Sequence, residues 1–271
     1  MTDYEVCCKN EKRYPHHEAV SGETITSRTN PLCLHFRKLA SSRSYREERG
    51  EYLCDSPKLL GEAVQWGASI TALAYTEGTA LPEGVQARRT AQVSESVMKS
   101  ISPMETPQGV VFSCALPDWK LPEQLEPGRY VLLDGVQDPG NVGTLLRTAD
   151  AFNWTAILLP GCADLYNPKT VRSAMGVHFR RAVYRDELSR TAGLLRAAGL
   201  PLYATALAED TADLRSVDLS RCGVIIGSEG RGVSAEALAV CDGTIRIPML
   251  ERCESLNAAV AGAIVLWEGI R

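Results

Sequence analysis

Beyond Pro127 the 271-residue chain alternates short apolar runs with helical stretches, and no other feature constrains its fold as tightly. Tyr130–Leu133, Ala156–Leu159, Leu202–Thr205, Gly223–Ile226 and Thr244–Ile247 are apolar enough to be buried strands, while Glu187–Ala198 and the stretch from Ser255 onward read as helices. Strands separated by helices in this way build an open, mostly parallel sheet covered on both faces, with ligands at the carboxyl ends of its strands. The fold class is therefore α/β, with this sheet in the C-terminal part.

The N-terminal half carries a weaker version of the same alternation. After Leu32, Leu34, Phe36 and Leu39 come strand-like runs at Tyr52–Cys54, Ile70–Tyr75 and Gly109–Cys114, and a helix from Pro57 places Leu59, Leu60, Ala63, Val64 and Trp66 at helical spacing. A smaller α/β domain over residues 23–116 follows from this pattern. Pro117, Pro122 and Pro127 mark a linker over 117–128, the second domain occupies 129–271, and the polar residues 1–22 form a mobile extension.

Composition excludes several classes. No apolar run approaches the ~20 residues of a membrane helix, and the charged first twenty residues are not a secretion signal. Nine cysteines without a CxxC pair suit reduced thiols in the cytoplasm. Cys7, Cys8, His16 and His17 lack both a recognised metal spacing and an apolar frame, so no metal site is expected. The net charge of −4 requires any nucleic-acid contact to come from a local patch. Arg28, Arg37, Lys38, Arg43, Arg46, Arg49 and Lys58 form one candidate, outnumbering Glu47, Glu48, Glu51 and Asp55; a solvated helix laced with ion pairs fits the same counts.

Three blocks carry the chemistry. Leu133-Asp134-Gly135-Val136-Gln137-Asp138-Pro139-Gly140-Asn141 turns a buried strand into a helix with apolar stripe Val142, Leu145, Leu146 and Ala149, leaving Gly143, Thr144, Arg147 and Thr148 on other faces. Alone, the block assigns Asn141 to capping and Arg147 to a surface ion pair; its place at the ligand edge favours a functional role. Gly227-Ser228-Glu229-Gly230-Arg231-Gly232 is glycine-rich in GxxGxG order, which is neither the dinucleotide fingerprint nor a Walker loop. Its glycines permit close backbone approach to a ligand, and Glu229 adds a carboxylate at a strand end. In the third block, Ile247 to Ala259, Ser255 is placed to cap the last helix, and Asn257 sits just inside, where asparagine costs helix propensity unless something beyond the helix uses it.

The ordered blocks resemble the signature motifs of the SpoU (TrmH-type) RNA ribose 2'-O-methyltransferases of the SPOUT superfamily. Ile25–Pro31, Tyr52–Leu60 and Met104–Val111 look like the ribosomal-protein-like RNA-binding domain that precedes many of their catalytic domains, except that the usual Glu-Gly pair is replaced by Asp55-Ser56. The resemblance implies a deep trefoil knot, S-adenosylmethionine bound near Gly227, Ile247 and Leu256, and catalytic roles for Asn141, Arg147, Glu229, Ser255 and Asn257. A glycine is usual where this chain has Glu251.

Methyl transfer to a ribose 2'-hydroxyl suffers from a weak nucleophile, so positioning and stabilisation of alkoxide character dominate. Arg147 is permanently charged and suits phosphate orientation and oxyanion stabilisation better than proton abstraction. The resemblance further implies a cytoplasmic homodimer with ribosomal RNA as substrate. The dimer would use the terminal helix, where Ala258, Ala259, Ala261, Gly262 and Ala263 precede Ile264, Val265, Leu266 and Trp267. A transfer RNA methyltransferase, a non-catalytic RNA-binding protein on the same scaffold, and a mononucleotide-dependent α/β enzyme are the alternatives.

Overall fold

The computed structural model describes residues 23–206, 210–250, 252 and 255–271. The N-terminal extension, Glu251 and Cys253 lie outside the described residues.

The first unit runs β1 (Glu23–Ile25), α1 (Pro31–Ser41), α2 (Arg43–Arg49), β2 (Glu51–Asp55), α3 (Pro57–Gln65), β3 (Ile70–Tyr75), β4 (Arg89–Val93), α4 (Glu95–Ile101) and β5 (Val110–Ala115). Its sheet has order β1-β4-β3-β5-β2, parallel at β1/β4 and β3/β4 and antiparallel at β3/β5 and β2/β5. Helix α1 begins where the Asn30 side chain accepts from the Leu32 N–H and Pro31 fixes the first turn, and it buries Leu32, Cys33, Phe36 and Leu39.

The second unit continues through β6 (Arg129–Asp134), α5 (Pro139–Ala151), β7 (Thr155–Leu158), α6 (Pro168–Ala174), α7 (Val177–Arg180), β8 (Val183–Arg185), α8 (Leu188–Ala197), β9 (Leu202–Thr205), β10 (Ala212–Asp213), β11 (Cys222–Gly227), α9 (Ala235–Val240), β12 (Gly243–Arg246) and α10 (Ala258–Glu268). Its sheet is seven-stranded, β10-β12-β9-β11-β6-β7-β8, and every pairing is parallel. Central β11, Cys-Gly-Val-Ile-Ile-Gly, is buried at all positions, as a strand covered on both faces must be.

The expected strands and the 187–198 helix are present to within two residues at each end. Within the segment expected to be a linker, Leu121 and Leu125 are buried against the sheet and α8. Gly143, expected away from the apolar stripe, is buried: a Cβ there would lie 2.5 Å from the Thr170 carbonyl, so its absence lets α5 and α6 meet closely. Helix α10 is seated similarly, with Gly262 against Leu145 and the Trp154 indole N–H donating to the Leu266 carbonyl at 3.0 Å.

One hydrophobic core runs through both units, joining Tyr52, Leu59 and Phe112 to Val131, Tyr166 and Val177. At this junction the Tyr52 ring lies 4.9 Å from that of Tyr166 and 6.4 Å from that of Phe179. Arg172 clasps buried Asp55 through two hydrogen bonds, at 2.5 and 3.2 Å, and Arg180 bridges Glu62 of α3 and Asp150 of α5. His178 is buried here too; Nε2 donates to the Leu165 carbonyl at 2.8 Å, and Nδ1 has no partner.

Candidate active site

The carboxyl ends of β9, β11 and β12 meet the start of α10 around one cavity. Helix α5 begins beside them. Its N-cap is Asp138, whose Oδ1 accepts from the Asn141 N–H at 2.9 Å while Lys169 holds Oδ2 at 2.8 Å. The Lys169 hydrogen bond and the Asn141 N–H together lower the Asp138 pKa. Capping thus falls to Asp138 and leaves the Asn141 side chain to other partners.

Helix α10 starts later than its sequence implies. Asn257, not Ser255, is its N-cap, accepting from the Ala259 and Val260 N–H groups at 2.9 and 3.3 Å; Ser255 lies ahead of the helix on a cavity wall. With Oδ1 committed to the cap, Asn257 Nδ2 donates to Asn141 Oδ1 at 3.2 Å. Asn141 Nδ2 donates in turn to Glu229 Oε1 at 2.5 Å. Backbone N–H groups at one end can only donate and the ionised carboxylate at the other can only accept, so the orientation of both amides is set by the ends of the relay. Each amide keeps a second N–H, and Glu229 a second oxygen, for a ligand.

Glu229 stands on a tight loop. Ser228 and Gly232 exchange backbone hydrogen bonds of 3.0 and 2.9 Å, leaving a three-residue tip. The closeness that Gly227 permits is to this loop itself, since a Cβ would strike the backbone of Gly232 and Val233.

The relay is a seam between two openings. On one side lies a cavity of about 290 Å³, whose wall includes Gly227, Glu229, Ile247, Ser255 and Leu256. Thr205, Ile245, Arg246 and Met249 also line it and carry no motif of their own; strand-end position was the available signal. On the other side Asn141, Thr144, Asn257, Val260, Ile264 and Trp267 line a shallow, largely apolar groove. Arg147 lies on α5, exposed, and among the described residues makes no hydrogen bond or ion pair, so the surface pair considered for it is absent.

The basic patch is less available than charge counting suggests. Arg46 is a correction: it is 4% exposed, its guanidinium pairs with Asp164 at 2.5 Å and donates to the Leu39 carbonyl, and it cannot reach a phosphate. Arg43 pairs with Glu47, Lys38 and Arg49 lie over the Tyr45 ring, and Arg37 donates to the Arg28 carbonyl. Arg28 and Lys58 are exposed. Among the described residues there is no cluster with metal-ligand character, and no helix is long and apolar enough to cross a membrane.

Residues 128–267 match the SpoU rRNA Methylase family, and residues 30–111 match the MRM3-like substrate binding domain. The chain is 34% identical over 247 residues to a 23S rRNA (guanosine(2553)-2'-O)-methyltransferase of Bacillus subtilis, covering 90% of this chain and 97% of that protein. A tRNA (guanosine(18)-2'-O)-methyltransferase of Thermus thermophilus is 39% identical over 150 residues, 54% of this chain and 76% of that protein. Among solved structures, the AdoMet-bound rRNA methyltransferase from Sinorhizobium meliloti superposes with a TM-score of 0.79 at 31% identity, covering 91% of this chain and 97% of that one.

Proposed function

This chain belongs to the SpoU rRNA methylase family, and on that footing we propose which RNA it modifies and how its residues do so. It is an S-adenosylmethionine-dependent RNA ribose 2'-O-methyltransferase. Its substrate is large-subunit ribosomal RNA. The full-length likeness to a 23S rRNA enzyme, against a likeness to the transfer RNA enzyme over about half the chain, supports this choice.

The cavity fits the cofactor. Its size lies near the roughly 300 Å³ lower end of small-molecule sites, and its walls suit an adenosyl group: Ile226, Ile245, Ile247, Leu256 and Val265 are apolar, while Ser228, Glu229 and Ser255 are polar. Gly227, Ile247 and Leu256 would hold the cofactor, which supplies an electrophilic sulfonium methyl.

The directed relay carries the mechanism. Asn257 and Asn141 line the groove and each keeps an N–H beyond the relay, and a ribose lying against the seam would set its 2'-oxygen toward the cavity. Glu229 keeps the Asn141 amide turned, and Ser255 adds a hydroxyl on the cofactor side. Arg147 orients a phosphate and stabilises negative charge on the 2'-oxygen as the methyl is transferred; the hydroxyl proton leaves to phosphate or water.

The catalytic domain is assigned to residues 129–271, the RNA-binding domain to 23–116 and the linker to 117–128. The family's knot lies in the segment from β11 through α10, and the protein works in the cytoplasm as a homodimer. The groove supports the dimer: Val260, Ile264 and Trp267 are 49%, 37% and 52% exposed, and a second copy covering them would abut Asn141 and Asn257.

Mapping 2'-O-methyl positions in RNA from cells with and without the gene tests this reading. One large-subunit ribose losing its methyl is the expected result. An unchanged ribosomal map with a site lost in transfer RNA would overturn the substrate, and calorimetry showing NAD binding without S-adenosylmethionine binding would overturn the cofactor.

A further inference from the structure

The chain carries net charge −4, and many of its arginines are neutralised internally: Arg46 by Asp164, Arg172 by Asp55, Arg180 by Glu62 and Asp150, and Arg43 by Glu47. Beside the relay, Lys169 is engaged by Asp138. Arg147 and Arg231 differ. Both are exposed, and among the described residues neither side chain makes a hydrogen bond or ion pair.

Arg231 projects from the 228–232 tip, which is tied down in three ways. The Ser228–Gly232 hydrogen bonds close its base, the Arg231 N–H donates to Ser228 Oγ at 3.3 Å, and Glu229, two residues earlier, accepts from Asn141. Gly230 stands between the two charged residues; a Cβ there would meet nothing within 4 Å, so the tip faces open space. Its carboxylate is turned toward α5, and its guanidinium is left for solvent. Arg147 follows Asn141 by six residues on α5, about 9 Å along the axis at 1.5 Å per residue. One unpartnered arginine therefore belongs to each of the two elements that the Asn141–Glu229 hydrogen bond joins.

Resting on the function proposed above, we infer that Arg231 is a phosphate-binding residue for the RNA substrate, gripping the backbone on the loop side of the target ribose while Arg147 grips it from α5. The tethered loop backbone has little freedom left to lose on binding, and the guanidinium fork matches phosphate oxygens. Two such contacts either side of one nucleotide would pin the ribose along the strand, which side-chain contacts to a single 2'-hydroxyl cannot do alone.

The test uses full-length Arg231→Ala and Arg231→Lys proteins, an unmodified large-subunit ribosomal RNA transcript and a salt series. Arg231→Ala should weaken RNA binding roughly tenfold, as loss of one charge-assisted contact does, and reduce the slope of log affinity against log salt by about one. KM for the RNA should rise more than kcat falls. Arg231→Lys should keep the slope and recover part of the affinity. S-adenosylmethionine affinity and thermal midpoint should match wild type in both variants. A wild-type salt slope and RNA affinity in Arg231→Ala overturns the inference. Failure of the functional reading shows separately, as wild-type protein that binds the transcript and transfers no methyl to it.

Discussion

Arg46 and Asp164 face each other across the junction of the two sheets at 2.5 Å, their side chains 5% and 11% exposed. A basic residue that charge counting assigns to an RNA surface is thus part of the seam that holds the protein together.

Without Arg46, buried Asp164 keeps Arg185, at 3.1 Å, as its ion-pair partner but loses the hydrogen bonds to its other oxygen. Arg46→Ala should lower unfolding free energy by about 2 kcal/mol in urea titration, whereas Arg43→Ala, whose pair with Glu47 is over half exposed, should change it by less than about 0.5 kcal/mol. Equal losses would refute the distinction.

Asn257 does two jobs that one substitution can separate. Asn257→Asp keeps an oxygen for the Ala259 and Val260 N–H groups but removes the donor to Asn141. Melting temperature should stay near wild type, while the single-turnover rate falls by roughly a hundredfold, the scale of a lost transition-state hydrogen bond. Asn257→Ala should add a capping loss of about 1 kcal/mol. A near-wild-type rate in Asn257→Asp removes the positioning role.

Ser56 adopts φ +91°, a region that side chains avoid, where the resembling family carries the glycine of its Glu-Gly pair. Its hydroxyl accepts from the Leu59 N–H at 3.3 Å, a modest cap. Relief of backbone strain outweighs the few tenths of a kcal/mol lost with that cap. Ser56→Gly should raise stability by about 1 kcal/mol, and a drop in thermal midpoint would show the hydroxyl to matter more.

Burial holds the His178 pKa at about 4, against an ordinary 6.5. Above 6.5 both folded and unfolded states keep the ring neutral. As pH falls from 6.5 toward 4 the unfolded state takes up a proton that the folded state refuses, so stability declines through that window by up to roughly 1.4 kcal/mol per pH unit, then levels off. His178→Gln should flatten the dependence measured by urea unfolding between pH 7 and 4.5. Parallel curves for the two proteins would exclude His178 as its source.

Trp267 lies on the exposed apolar face of α10 and touches Phe152 edge-on. Trp267→Glu should shift the protein from dimer to monomer in sedimentation at micromolar concentration and reduce methyl transfer with it. A wild-type protein already monomeric there would remove the dimer.

Much of the second sheet was legible because β6, β7 and β11 are interior strands buried almost throughout, which writes a continuous apolar run, while interior β9 and β12 carry shorter, partly buried ones. Edge strands β8 and β10, Val183–Arg185 and Ala212–Asp213, are too short to carry a period, as are α6 and α7. The cluster of Asn141, Glu229 and Asn257 was legible as ordered motifs; which residue capped which helix was not, because Asp138 and Asn257 act through geometry that spacing leaves open. Arg46 and Gly143 show the remaining limit: burial is a property of what packs on a residue, here α6 and the loop bearing Asp164, both distant in sequence.

The clasp of Asp55 by Arg172, the Arg180 bridge from Glu62 to Asp150 and the Tyr52 cluster have a consequence for substrate choice. These contacts join the two units into one body. On the function proposed above, that body acts as a ruler: a transcript touching both units must hold its recognised element and its acceptor ribose the right distance apart.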